Sequence, residues 1–209
     1  MTKVLVIQAH PHVENSLSLT VGNKFIEDYK EAHPEDEVIV RDLFTQESVP
    51  ALNDVTMTAW KKQKFGQEMT DEEKATIKKH DEWLDEFISA DKYIFINPMY
   101  NHFLPAEMKQ YLDLTAIARK TFKYTPEGAI GLLTGKKAIH IQAAGGRYHA
   151  EGENSMMDLG DIYLTKMLNF YGITDVDHIY IEGADVNPEK RQEILENALQ
   201  EAQVKAPKF

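Results

Sequence analysis

The 209-residue chain contains no cysteine. That absence excludes a disulfide framework, thiolate catalysis, iron–sulfur ligation and any zinc site that uses a thiolate. Prolines number 8 and glycines 11, too few for a collagen-like or low-complexity chain. No apolar run approaches the roughly 18 residues that a membrane span requires. Before Val4-Leu5-Val6-Ile7 stand only Met1-Thr2-Lys3; so short an apolar run is no signal-peptide core, and the expected location is the cytoplasm. Cations are scarce too, with 23 Lys plus Arg against 34 Asp plus Glu and a formal charge of −11. An acid excess of this size argues against a nucleic-acid binder, whose affinity rests on phosphate neutralisation. With 43% apolar and 10% aromatic residues the chain can build a core, and its length suits one domain over residues 1–209.

Five short apolar runs read as strands buried on both faces: Val4 to Ile7, Val38 to Val40, Tyr93 to Ile96, Ala138 to Ile141 and His178 to Ile181. Helical periodicity separates them. Leu17, Val21, Phe25 and Tyr29 recur every fourth residue within Ser16 to Ala32. Thr70 and Glu73 form a T-x-x-E capping box ahead of Ile77, Leu84, Phe87 and Ile88. Pro105 suits a first helical turn, while Met157 to Phe170 and Glu189 to Ala202 supply the last two helices, bounded by Gly172 and Asn187-Pro188. The alternation predicts an α/β three-layer sandwich, with a five-stranded parallel sheet in the flavodoxin-like order 2-1-3-4-5 and helices on both faces. Phe44 to Met69 is irregular and long for a loop, so it should hold a helix of its own or meet an interface.

Ligands of such sheets bind at the carboxyl ends of the strands. The loop after the first strand, Ala9 to Ser18, offers His10 and the hydroxyls of Ser16 and Ser18 at a helix start, a cradle for an anion. It holds no Lys or Arg between residues 9 and 20, and neither a P-loop nor a G-x-G-x-x-G pattern is present. A simple N-cap at Asn15 or Ser16 is the plainer reading. After the third strand, Pro98-Met99-Tyr100-Asn101-His102 is suited to a flat, mostly apolar ligand with polar edges, or is a rigid turn with Met99 and Tyr100 in the core. After the fourth, Ala143-Ala144-Gly145-Gly146 lets backbone approach a ligand closely. His10 and His12 lack a third partner at metal-ligand spacing, so no metal is expected. His140, inside a strand run, reads as a satisfied core histidine.

These segments resemble the FMN-dependent NADH:quinone oxidoreductases and azoreductases, over nearly the whole chain. The likeness is carried by Ser16-Leu17-Ser18, Pro98-Met99-Tyr100-Asn101, Thr121-Phe122-Lys123-Tyr124-Thr125, Thr134-Gly135-Lys136-Lys137-Ala138 and Gly145-Gly146. It implies a flavodoxin-like homodimer that binds FMN, takes electrons from NADH and reduces quinones or azo compounds by a ping-pong cycle. The resemblance makes Ser16, Leu17 and Ser18 contacts of the FMN phosphate, with His10 beside them. Pro98, Met99, Tyr100, Asn101 and His102, together with Ala143, Ala144, Gly145 and Gly146, become contacts of its ring. Tyr148 is the candidate for orienting substrate or delivering a proton, against an ordinary buried tyrosine. Tyr124 and Phe170 are candidates for the substrate wall, completing a neighbour's site in the dimer. Three positions depart from the family pattern. His10 replaces a frequent serine and gives the Ala-His-Pro opening of related NAD(P)H quinone reductases, His102 replaces a phenylalanine, and Ala143-Ala144 replaces a Ser-Arg pair. An electron carrier of the same fold, or a flavin-binding module without catalysis, remains the alternative.

The acidity is uneven. From Lys109 to Arg147 seven Lys or Arg face only Asp113 and Glu127, a local excess of +5. Some of these cations are expected to offset repulsion of an arriving anionic dinucleotide.

Overall fold

The computed structural model describes residues 1–11, 14–44, 47–150 and 152–209. Five strands, β1 (Lys3–Gln8), β2 (Glu37–Asp42), β3 (Lys92–Pro98), β6 (Lys137–Ala144) and β7 (Asp175–Glu182), form the main sheet, and β4 (Phe122–Thr125) and β5 (Gly128–Gly131) form a separate hairpin between β3 and β6 in the chain. The parallel sheet runs β2-β1-β3-β6-β7, which is the expected order once the hairpin is set aside. Around it lie α1 (Leu17–Ala32), α2 (Asp54–Lys64), α3 (Asp71–Ser89), α4 (Ala106–Thr115), α5 (Leu159–Tyr171) and α6 (Arg191–Lys205).

Side chains alternate across each strand, and the two faces of the sheet bury separate clusters. On one face Leu5, Ile7, Tyr93 and Phe95 pack with Trp83 and Phe87 of α3, Met108 and Tyr111 of α4, and Leu164 and Leu168 of α5. On the other, Val4, Val6, Ile94, Ile141 and Ile179 meet Val21 and Phe25 of α1 and Ala198 and Ala202 of α6. The three layers follow from this alternation. The expectation of strands buried on both faces fails at β2, an end strand whose Val40 is 38% exposed.

Local signals account for most boundaries. Thr70 Oγ1 accepts the Glu73 N–H at 3.2 Å, and the Glu73 carboxylate accepts the Thr70 N–H at 2.7 Å. The same carboxylate takes Lys62 Nζ at 2.8 Å and so ties α2 to α3. The irregular stretch does hold a helix, α2, capped by Asn53. Pro105 sits one position earlier than expected, as the N-cap of α4. Gly172 closes α5 with φ of 97°, a conformation costly for residues with a Cβ. The β4–β5 hairpin was not expected. It packs so closely on the end of α5 that a Cβ on Gly131 would lie 2.1 Å from Gly172 N.

Two lysines of the basic segment stand at the entry to β6, Lys136 just before it and Lys137 as its first residue, at the end of the sheet away from the ligand loops. Lys136 is spent on the last turn of α3, donating to the carbonyls of Ile88 and Ala90, and burial lowers its pKa. Lys137 pairs with Asp175 at 3.7 Å. For these two the expected role toward an arriving dinucleotide does not hold.

Candidate functional site

β1, β3 and β6 are neighbours in the sheet, so their carboxyl-terminal loops emerge side by side. Pairing continues past the strands, with Ala9 N donating to Ile96 O at 2.9 Å and Met99 N to Ala143 O at 2.7 Å. A cleft of about 550 Å³ opens between the loops, a size typical of small-ligand sites.

One end of the cleft is polar. Ser16, the N-cap of α1, accepts the Leu19 N–H at 3.2 Å, so the plain capping role is real. Its Oγ also lies 2.8 Å from His10 Nε2 and 3.4 Å from Ser18 Oγ, which joins the three polar side chains into one group. The N–H groups of Leu17 and Ser18 fall in the first helical turn, where the helix's own ladder offers them no acceptor. At Gly22 α1 presses onto β3, and a Cβ there would approach Ile96 Cδ1 to 2.6 Å. That close packing sets the start of α1 against the sheet's carboxyl edge.

The middle of the cleft is apolar. Pro98, Met99, Tyr100, Ala143, Ala144 and Gly145 line it. Tyr100 is 41% exposed and Met99 half-buried, so the reading that placed them in the core fails. Asn101 and His102 have φ of 51° and 63°, and Tyr100 and Phe103 exchange both backbone hydrogen bonds at 2.9 Å across them. Two successive left-handed residues in such a tight turn are the mark of type I′. Asn101 and His102 therefore set the loop's shape and do not line the cleft itself.

Beyond the glycines, Gly145 and Gly146 are held by their carbonyls, which accept the N–H groups of Asp185 at 3.2 Å and Gly183 at 2.8 Å. A Cβ on Gly145 would lie 2.2 Å from Asp185 Oδ2, and one on Gly146 would lie 3.0 Å from the Tyr148 hydroxyl. Tyr148 thus covers Gly146 at the margin of the cleft, with the His102 ring edge-on at 5.7 Å. Tyr124 and Phe170 do not join this cleft. They gather around Phe122, whose ring lies 5.3 Å from Tyr124 and 4.3 Å from Phe170, and Tyr124 is 74% exposed.

His140 is a satisfied core histidine, 2.7 Å from Asp161 and 3.0 Å from Asn97 Oδ1. Burial alone would raise the Asp161 carboxyl, but hydrogen bonds with His140 and His178 outweigh it and hold the group well below the usual range. His12 lies outside the described residues, so the spacing of His10 and His12 carries no geometry. Elsewhere His149, Asp158 and Glu182 bring ligand-type atoms within 4.8 Å of one another. Their oxygens are engaged by protein donors: Glu182 accepts from Tyr148 N, His149 N and the His149 ring, and Asp158 from Gln142 and Asp161 N. This cluster escaped the reading of the sequence because its members lie on three separate elements.

Glu14, Asn15, Ala184, Asp185 and Arg191 also line the cleft and were not expected there. Arg191 donates to Asn15 O at 2.8 Å across 176 positions of sequence. Its one local signal is a cation in the first turn of a helix, where the dipole disfavours it.

The donor set fits a phosphate at one end and a flat ring system beside Pro98 to Tyr100, which together are the requirements of FMN. Fold and site are those of a flavodoxin-like protein, and a family model described as a flavodoxin-like fold matches residues 2–206. An FMN-dependent NADH:quinone oxidoreductase 2 of Lactiplantibacillus plantarum is 54% identical over 210 residues, covering 100% of this chain and 98% of the relative. An FMN-dependent NADH:quinone oxidoreductase 1 of Lactococcus lactis subsp. lactis is 46% identical over 97% of each chain. Among solved structures, an FMN-dependent NADH-azoreductase from Bacillus anthracis in complex with FMN has a TM-score of 0.93 and 36% identity, covering 100% of this chain and 99% of that one. The chain belongs to this family of FMN-dependent NADH:quinone oxidoreductases and azoreductases.

Proposed function

We propose that this protein is an FMN-dependent NADH:quinone oxidoreductase that also cleaves azo bonds reductively, two electrons at a time, in a ping-pong cycle. The observation that carries the reading is the pairing of a hydroxyl and histidine cradle at the start of α1 with the apolar wall of Pro98, Met99 and Tyr100 in one cleft. Bound FMN would supply the hydride chemistry, and the protein its binding, orientation and electrostatics.

His10, Ser16 and Ser18, with the first N–H groups of α1, would hold the phosphate. Pro98, Met99 and Tyr100, with Ala143, Ala144 and Gly145, would flank the ring and exclude water from it. The Asn101-His102 turn fixes that wall. The N–H groups of Gly145 and Gly146 would face the ring edge where negative charge develops on reduction. Tyr148 stands at the margin of the cleft, suited to orient a substrate or share a proton through its hydroxyl.

The same reading makes the protein a cytoplasmic homodimer. In support, the exposed apolar side chains Tyr124, Ile130 and Leu132 suit an interface, and Tyr124 with Phe170 would then wall the neighbour's site. No helix among the described residues is long and apolar enough to cross a membrane.

The test is the visible spectrum of the protein with FMN, followed by anaerobic NADH and then a quinone. Flavin absorbance that bleaches with NADH and returns with the quinone supports the proposal. A protein that stays colourless with FMN overturns it, and one whose flavin NADH leaves oxidised is a carrier instead.

A further inference from the structure

We infer that Arg191, at the start of α6, is the cation of the FMN phosphate site, acting as a latch that fixes the Asn15 turn and faces the phosphate. The inference rests on the FMN reading above and goes beyond it, because the loop that would cradle the phosphate carries no Lys or Arg from residue 9 to residue 20.

Four observations converge. First, among the cleft's lining residues the side chains of fixed charge are Glu14 and Asp185, both negative, and Arg191. An anion entering between two carboxylates in a chain of net charge −11 meets repulsion unless a cation stands close. Second, Arg191 reaches that end of the cleft, since its Nη2 donates to Asn15 O at 2.8 Å and Asn15 directly precedes the capping serine. Third, Asn15 has φ of 61°, a left-handed conformation that asparagine tolerates, and this turn aims its carbonyl at Arg191. The bond ties this turn to a residue 176 positions away. Fourth, α6 does not explain the residue. A cation in a first turn opposes the helix dipole, so an arginine there serves something outside the helix.

The guanidinium carries five N–H donors in a planar fork, and the bond to Asn15 leaves the others able to turn toward the cleft. A fork of this kind matches phosphate geometry, which a lysine matches only as a point charge. Arg191 is therefore a positioning and binding residue, and it takes no part in electron transfer.

The experiment titrates flavin-free full-length protein with FMN and with riboflavin, following flavin fluorescence, for wild type, Arg191→Gln and Arg191→Lys at low and high salt. Arg191→Gln is expected to weaken FMN about 10-fold or more, the worth of a hydrogen bond to a charged group. Riboflavin, which lacks the phosphate, should bind wild type and variant alike, and Arg191→Lys should recover part of the loss. The salt dependence of FMN binding should flatten in Arg191→Gln. Equal FMN affinity in wild type and Arg191→Gln overturns the inference while leaving the FMN reading intact. Equal weakening of FMN and riboflavin also overturns it, by making the residue merely structural. Wild-type protein that binds neither flavin defeats the FMN reading itself.

Discussion

Glu182, the last residue of β7, accepts the backbone N–H of Tyr148 at 2.9 Å with the same oxygen that takes the His149 N–H at 3.1 Å. Its second oxygen meets His149 Nδ1 at 2.7 Å, and the His149 ring stacks on Tyr180 at 3.6 Å. One carboxylate thus holds the segment that lays Tyr148 over Gly146. Glu182→Gln keeps the shape but loses the charge, and should cost about 1–3 kcal/mol of stability. Urea midpoints measure the cost, and faster hydrogen exchange at the Tyr148 amide would show that the loss falls on this segment.

Ser16 serves as helix cap and as partner of His10. Ser16→Ala should destabilise the flavin-free protein by about 1 kcal/mol, the usual cost of a lost cap. FMN affinity should fall as well, whereas His10→Gln should weaken FMN with a smaller effect on the melting temperature. Thermal unfolding with and without FMN separates the two roles.

A side chain on Gly145 must displace Asp185. Gly145→Ala is expected to cost about 1–3 kcal/mol through overpacking and to weaken flavin binding. Asp185→Ala in the same chain should restore part of the stability, because the atoms in the way are those of the Asp185 carboxylate. A double-mutant cycle in urea that came out additive would refute this account.

The Asp161 carboxyl lies below its ordinary range because His140 and His178 bond to it. A lowered folded-state pKa contributes stability that is complete above the unfolded value near 4 and is lost as pH falls through the folded one. Wild type should therefore lose stability from about pH 5 downward. Asp161→Asn, which removes the carboxylate from a buried hydrogen-bonded group, should lose about 1–3 kcal/mol at neutral pH and show a shallower acid limb. Urea unfolding between pH 7 and pH 3 tests both statements.

The turn at Asn101-His102 places a non-glycine residue at positive φ twice in succession. His102→Gly should stabilise the protein or leave it unchanged, since glycine adopts this conformation without a Cβ penalty. Asn101→Ala should destabilise by about 1 kcal/mol and weaken FMN. Melting temperatures and flavin titrations of the two variants check the contrast.

Features written in contiguous residues were legible in the sequence. The Thr70–Glu73 box, the Gly172 stop and the short apolar runs of the core strands emerge where local pattern places them, because their causes act over a few residues. The cradle at Ser16 was legible for the same reason. Arg191 and Asp185 were not, because they reach the cleft only when β7 pairs with β6 and α6 packs against α1. The hairpin was hidden by its shortness and by Gly128 and Gly131, which weaken any strand signal. Lys136 misled for a related cause. Its charge was visible, but its use in capping the last turn of α3 depends on a contact with Ile88 and Ala90 that spans more than 40 positions.

The bond between Arg191 and Asn15 has a consequence for how a ligand would be released. A molecule held at that end of the cleft would act as a noncovalent staple between the two extremes of the polypeptide. Fraying of α6 would then be the event that lets it go. Proteolysis should report this directly: flavin should protect α6 against cleavage far more than it protects α2, which contributes nothing to the cleft, even though no bond of the flavin need touch most of α6.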